Sequence, residues 1–504
     1  MFRSQTQRLS IGTGNAPGNR PTRICLLATV LWTFLFLQAC GGSQGGDVAM
    51  SEALLIENVH LVDAVHGLRE GQDLLVVGDR IESVGETGSL EVPAGVSILD
   101  GQGRYLIPGL WDAHFHVTNT PAMRDSFYPL FLINGITYAR DTAMRMEEIE
   151  PVREWTRQTH EEHGWAPDLY LIGPHMDGER LSWASSVSAT TDAEARAHID
   201  RLDALGVNEM KVYELIQPDV FRVVLEEATS RGYRVTSHIP LTMDVIEATD
   251  AGLTAMEHLQ NLEFACAENW EELREERRAL IAERTEMEGN ELREFLHAHQ
   301  RERALDRQDE GRCREVIDHL AEREVWQVPT IVISTLEEHR LFETEAWRAT
   351  FDYLPEEVRG PWLEMAESMV GTPSSEVGIR YSEWIRDRVR QMEEAGVPMM
   401  AGTDMPLALL TPGFSLQKEL ELLASTGIEP LRVLEMATLA PAQYYGLEQE
   451  QGSLAPGMAA DLVLLRSNPV EDIRATQQID AVVRDGRLFD SGDLEEVREW
   501  LRGQ

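Results

Sequence analysis

Between residues 53 and 105, apolar positions come in short blocks separated by turn residues. Ala53–Val59, Gln72–Gly78 and Arg80–Val84 read as strands, and Gly78-Asp79 suits a tight hairpin. The same style returns near the other end, where Gly452-Ser-Leu-Ala-Pro-Gly457 precedes the runs Ala460–Leu465 and Ile479–Gly486. Two β-rich fragments, 53–105 and 452–490, flank a different middle. They predict one small β-sandwich domain built from both ends of the chain.

Across 106–451, strand-like runs alternate with helical periodicity, the pattern of a parallel β/α architecture. Candidate strands lie near 105–113, 136–141, 168–174, 208–213, 234–238, 253–257, 326–333 and 398–403. That series predicts an α/β fold, a (β/α)8 TIM barrel. Two connections, 260–324 and 335–390, are too long for ordinary loops and are rich in charge at helical spacing, with Trp347, Trp362 and Trp384 as packing residues. They predict helical insertions over the barrel mouth.

Ahead of the first strand, Arg3, Arg8, Arg20 and Arg23 precede the apolar run Ile24–Leu37, which is short for a bilayer span. The run ends in Leu37-Gln-Ala-Cys40 and a Gly/Ser tract. This resembles a bacterial lipoprotein signal: 1–39 is removed, the Cys40 thiol is lipidated, and 40–52 is a flexible tether. The protein is then exported and anchored in the cell envelope, at the outer membrane facing the periplasm. A plain signal peptide or single anchor helix is the alternative. Of four cysteines, Cys25 falls in the signal and Cys40 in the lipid box. Cys266 and Cys313 remain, either bridged in an oxidising compartment or as two free buried thiols.

The net charge of −41 excludes nucleic acid as a partner, because phosphate binding needs a basic face. The acidic residues are spread along the chain and read as a solvated surface. Only two of the 45 basic residues are lysines, and one of them, Lys211, lies inside the apolar run Asn208-Glu-Met-Lys-Val-Tyr213. A buried charge is costly, and arginine cannot replace an amine that must lose its proton and react. Carbamate formation with carbon dioxide is one reading of Lys211; an ordinary strand-end lysine is the other.

His114 and His116, spaced two apart on the first barrel strand, turn both imidazoles to one face, as metal ligands would. His238, His258 and Asp404 each end a different predicted strand, at the face where such barrels carry catalytic groups. His60 and His66 fall in the β fragment. His160, His163, His198, His297, His299, His319 and His339 fall in helical stretches and read as surface or packing residues. His175, Tyr213 and Arg140 follow or end barrel strands and are candidate substrate contacts, although Arg140 beside Asp141 also fits an internal ion pair.

These pieces together resemble the amidohydrolase superfamily, in particular its imidazolonepropionase-like and prolidase-like members. The likeness rests on Gly109-Leu-Trp-Asp-Ala-His-Phe-His116, Lys211, His238, His258, Gly402-Thr-Asp404 and Gly452–Val463, and spans about 54–490. It implies that His114 and His116 bind one metal and His238 and His258 another. Carbamylated Lys211 bridges the two, and Asp404 both ligates the first and shuttles the proton. The implied cofactors are two divalent ions, best zinc, with carbon dioxide as the Lys211 carbamate. The implied activity is hydrolysis of a small-molecule C–N bond (amide, cyclic amide or dipeptide) by a hydroxide bridging the two ions. Ester, lactone or phosphotriester hydrolysis at the same site is one alternative, and a non-catalytic surface lipoprotein that keeps the barrel is another.

Overall fold

The computed structural model describes residues 53–504; the expected signal peptide, the tether and Cys40 lie outside them. Among the described residues, no helix is long and apolar enough to cross a membrane.

The apolar blocks near the two ends form one seven-stranded sheet. Its strands are β1 (Ala53–Asp63), β2 (Gly67–Val77), β3 (Arg80–Glu86), β4 (Ser97–Pro108), β14 (Leu462–Leu465), β15 (Ile479–Arg484) and β16 (Arg487–Phe489), in the order β16-β15-β14-β4-β1-β2-β3. The β3 edge is tied back to the segment that leads into β14: Ile81 N donates to Met458 O at 2.9 Å and Ala460 N to Asp79 O at 2.8 Å. The sheet therefore curls around a core of Ile56, Val59, Leu61, Leu74, Val76, Ile81, Leu106, Leu462, Leu464 and Val483. Curling leaves few unpaired edge groups exposed.

The alternating middle forms the expected barrel. Its strands are β5 (Leu110–Phe115), β6 (Ile136–Asp141), β7 (Asp168–Leu171), β8 (His175–Asp177), β10 (Met210–Val212), β11 (Val235–Ser237), β12 (Ala255–Glu257) and β13 (Trp326–Val328). The two-residue β9 (Val187–Ser188) adds outside β8. The third stave is broken: β7 pairs with β6, and β8 pairs with β10. The break falls at Gly173, where φ is +86° and a Cβ would meet Leu202 at 2.8 Å. Residues 398–405 supply the eighth stave, bridged at Met399 to Gln327 and at Met405 to Phe115. Met400 N donates to Gln327 O at 2.9 Å on one side, and Ala113 N to Ala401 O at 2.9 Å and His116 N to Met405 O at 3.0 Å on the other. The ring of backbone hydrogen bonds is thus carried around to β5.

The helices that follow the strands bury one stripe each. Pro218–Ser230 starts with proline, whose missing N–H costs nothing there, and buries Val220, Phe221, Val224, Leu225 and Ala228 at helical spacing. The insertion after β12 holds the helices Trp270–Glu283, Gly289–Asp306 and Glu310–Glu322; the one after β13 holds Glu356–Met369 and Glu376–Ala395. Both reach the barrel mouth, since Arg293, Arg301 and Tyr381 line its cavity. A further helix, Ser491–Arg502, lies beyond the β-rich fragment and packs on the helix Arg124–Ile133.

Cys266 and Cys313 are bonded to each other, 47 residues apart in sequence, and join the segment after β12 to the helix Glu310–Glu322. Closing a loop of that length restricts the unfolded chain. Replacing both cysteines with serine should therefore cost about 2–4 kcal/mol in a denaturant melt. An unchanged midpoint would show that the cap is held by packing alone.

Candidate metal centre

Five of the barrel's staves deliver polar side chains from their ends to the same place. His114 lies in β5, with His116 just beyond it; Lys211 lies in β10; His238 and His258 each follow the last residue of β11 and β12. Asp404 ends the eighth stave. Gly402, two residues earlier, has no room for a side chain, since a Cβ there would stand 2.8 Å from His114 N. His116, Lys211, His238, His258 and Asp404 line one cavity of about 450 Å³, and His114 is fully buried beneath it.

The imidazoles form a contiguous row. Ring centroids are 5.1 Å apart for His114 and His116, 4.4 Å for His114 and His258, and 4.8 Å for His238 and His258. Asp404 faces them, with Oδ1 at 2.9 Å from His116 Nε2 and 3.3 Å from His114 Nε2, and Oδ2 at 3.8 Å from His258 Nε2. His258 and Asp404 both adopt left-handed backbone angles, with φ of 59° and 61°. Such strain costs about 1–3 kcal/mol per residue and persists only where the surroundings impose it.

Outer partners aim the rings. His114 Nδ1 sits 2.6 Å from Glu257 Oε2, His238 Nδ1 2.8 Å from Glu214 Oε1, and His258 Nδ1 2.6 Å from Thr330 Oγ1. The Thr330 hydroxyl donates to Pro329 O, so it accepts from His258. With Nδ1 carrying the proton in each ring, Nε2 is left as a lone-pair donor facing inward, the arrangement expected of metal-binding histidine.

Burial lowers the His114, His238 and His258 imidazoles, His238 to about 4, so all three are neutral near pH 7. Burial pushes the Asp404 carboxyl up, but its contacts with His258, His114 and His116 outweigh that and hold it well below the ordinary range. Burial also lowers the Lys211 amine, to about 8. Among the described residues that amine makes no hydrogen bond or ion pair.

A carboxylate among neutral imidazoles with inward lone pairs fits a divalent cation. His114, His116 and Asp404 offer ligand atoms all within 4.8 Å of one another. His238, His258 and Lys211 adjoin them at the same cavity.

Of the other sequence candidates, His175 and Tyr213 line the cavity, their rings 4.5 Å apart, with Tyr213 4.3 Å from His238. Arg140 does not belong with them. It is fully buried behind the ligands, with Nε 2.9 Å from Glu209 and Nη2 2.9 Å from Glu257, and it donates to Ala113 O at 2.8 Å. Its place beside Asp141 left substrate contact and an internal ion pair both open; the ion pair is the outcome, with Glu209 and Glu257 as its partners. Nothing in the sequence singled out Glu214, Glu257 or Thr330, and His297 read as a surface or packing residue. The first two lie next to recognised site residues, Glu214 after Tyr213 and Glu257 before His258, which was the available signal. His297, on the helix Gly289–Asp306, is buried and donates to Glu214 at 2.6 Å, a contact that helical periodicity cannot reveal.

Because Arg140 neutralises two buried carboxylates, Arg140→Ala should destabilise the fold by about 3–5 kcal/mol. KM measured on the protein that remains folded should be unchanged. A KM effect without a change in melting would return Arg140 to the substrate site.

Comparison with known proteins places this geometry. The profile described as "Amidohydrolase family" matches residues 315–489. An adenine deaminase from Rhizobium meliloti (strain 1021) is 20% identical over 436 residues, covering 84% of this chain; the match spans 58% of the deaminase. Among solved structures, a bottromycin amidohydrolase superposes with a TM-score of 0.66 at 19% identity, over 90% of each chain. A Xaa-Pro dipeptidase superposes with a TM-score of 0.60 at 18% identity, over 87% of this chain and 100% of its own. The profile match over 315–489 and the shared barrel make this chain similar to amidohydrolases in sequence over that region and in fold over most of its length.

Proposed function

We propose that the protein is a metal-dependent hydrolase of small-molecule carbon–nitrogen bonds, in an amide, cyclic amide or dipeptide. It acts in the cell envelope, held there by a lipid on Cys40. The observation that carries this reading is the meeting of four histidines, Asp404 and an unpaired buried lysine at one barrel mouth.

In this reading His114, His116 and Asp404 hold one divalent ion and His238 and His258 hold a second. When bound, such ions acidify water and polarise a carbonyl. The Lys211 amine, lowered to about 8, is neutral in about a tenth of molecules at pH 7. The neutral amine adds to carbon dioxide and releases a proton, giving an anion with two oxygens where a buried cation stood. Among the described residues Asp404 Oδ2 makes no hydrogen bond, His258 Nε2 standing 3.8 Å away, and it can accept the proton of the attacking water and return it to the leaving nitrogen. Glu214 keeps the His238 ring from turning. The cap of helices excludes bulk water from the cavity.

Metal analysis of the purified protein should find about two ions per chain, the dinuclear site of this class. Chelation should abolish hydrolysis of N-acyl amino acids, dipeptides or hydantoin-like rings, and zinc should restore it. Lys211→Ala should lose both metal and activity; unchanged values for both would remove the carbamate from the site. Glu214→Gln, which leaves the ring partner in place but uncharged, should weaken metal affinity or activity about 10–100-fold. A protein that purifies without metal and binds none would end the proposal.

A further inference from the structure

The helix Gly289–Asp306 presents Arg293, His297 and Arg301 at intervals of four, hence on one face, and that face is turned to the barrel mouth. His297 and Arg293 are occupied with the site itself. His297 Nε2 and Arg293 Nε both donate to Glu214, at 2.6 and 2.9 Å. Arg301 is different. Its Nε donates to the buried Glu263 at 3.1 Å, and its guanidinium lies 4.2 Å above the ring of Tyr381, from the helix Glu376–Ala395. Among the described residues its Nη1 and Nη2 have no partner, and the residue lines the cavity with 24% of its side chain exposed.

Three arginines here meet two buried carboxylates. Of the carboxylates near Arg277, Arg293 and Arg301, only Glu214 and Glu263 are buried, Glu276 and Glu294 lying toward solvent, and burial keeps His297 neutral. Arg277 is spent on neutral amides, donating to Gln300 at 2.6 Å and Asn261 at 2.8 Å. The buried part of the wall is therefore rich in guanidinium groups, inside a protein whose net charge is −41. The cavity's carboxylates on this side, Glu294 and Glu337, are exposed at its rim, while Arg293 and Arg301 are partly buried within it. A guanidinium braced on two sides, with its outer edge free, matches the two oxygens of a carboxylate in plane.

Resting on the reading of this cavity as the substrate site, we propose that its substrates carry a carboxylate, and that the free Nη1/Nη2 edge of Arg301 binds that group. Arg293 adds its charge from the same helix face, and Tyr381 holds the Arg301 plane. The neutral His175 and Tyr213, nearer the histidine row, face the reacting part of the molecule.

Calorimetric titration of the metal-loaded protein tests this, because it reads binding whether or not a bond is cut. The probes are matched pairs: N-acetyl-leucine against N-acetyl-leucinamide, and succinamate against succinamide. In at least one pair the acid should bind about tenfold or more tighter than the amide. Arg301→Gln should bring the acid down to the amide's affinity and leave the amide unchanged. Arg301→Lys, which keeps the charge without the fork, should fall between and serves if the glutamine variant does not fold. Equal binding within both pairs, no binding of any probe, or an acid preference that survives Arg301→Gln would overturn the assignment. Turnover of N-acyl amino acids and dipeptides, followed separately, reports on the hydrolase reading alone.

Discussion

A carboxylate, Asp404, and an amine, Lys211, must both be kept in one largely buried cavity at the barrel mouth. Everything at the mouth answers to that constraint. Desolvation works against both charged forms, so the surrounding groups must set which charges survive. The imidazoles around Asp404 keep it ionised, and burial brings Lys211 to about 8. Neither would sit this way on a solvated surface.

The same constraint accounts for the layer behind the ligands. Glu257 and Glu214 are fully buried carboxylates, and both stay ionised despite burial because arginines and histidines face them: Arg140 and His114 for one, Arg293 and His297 for the other. Each therefore grips the Nδ1–H of a metal-site histidine with a charged acceptor. Thr330 does the same for His258 with a neutral one, from a left-handed backbone with φ of 45°. Arg140 lies between Glu257 and Glu209, and Tyr444 and Tyr445 close on Glu209 from outside. The polar interior is thus continuous from the barrel floor to the cap, and no carboxylate in it stands without a donor.

The cap joins this network rather than merely covering it. Because the helix Gly289–Asp306 contributes Arg293 and His297 to Glu214, its position and the aim of His238 are coupled. The Cys266–Cys313 bond ties the neighbouring segments of the cap together. A change in the cap that alters substrate preference through Arg301 would therefore be felt at the metal site if it moved the helix, and not if it changed only the guanidinium edge.

How much of this was legible in the chain follows from range. Alternation of strand and helix periods is local, so the barrel, the β-rich fragments at both ends and the two helical insertions could be read before any coordinates. Strand-end position is also local, and it brought His114, His116, Lys211, His238, His258 and Asp404 to one face. Pairing is not local. Arg140 and His175 look alike as residues at strand ends, yet one is locked between Glu209 and Glu257 and the other opens on the cavity. His297 and Arg301 belong to a helix whose sequence shows only charge at regular spacing. Which of its faces meets the barrel depends on packing between segments dozens of residues apart, and the folded chain alone determines that.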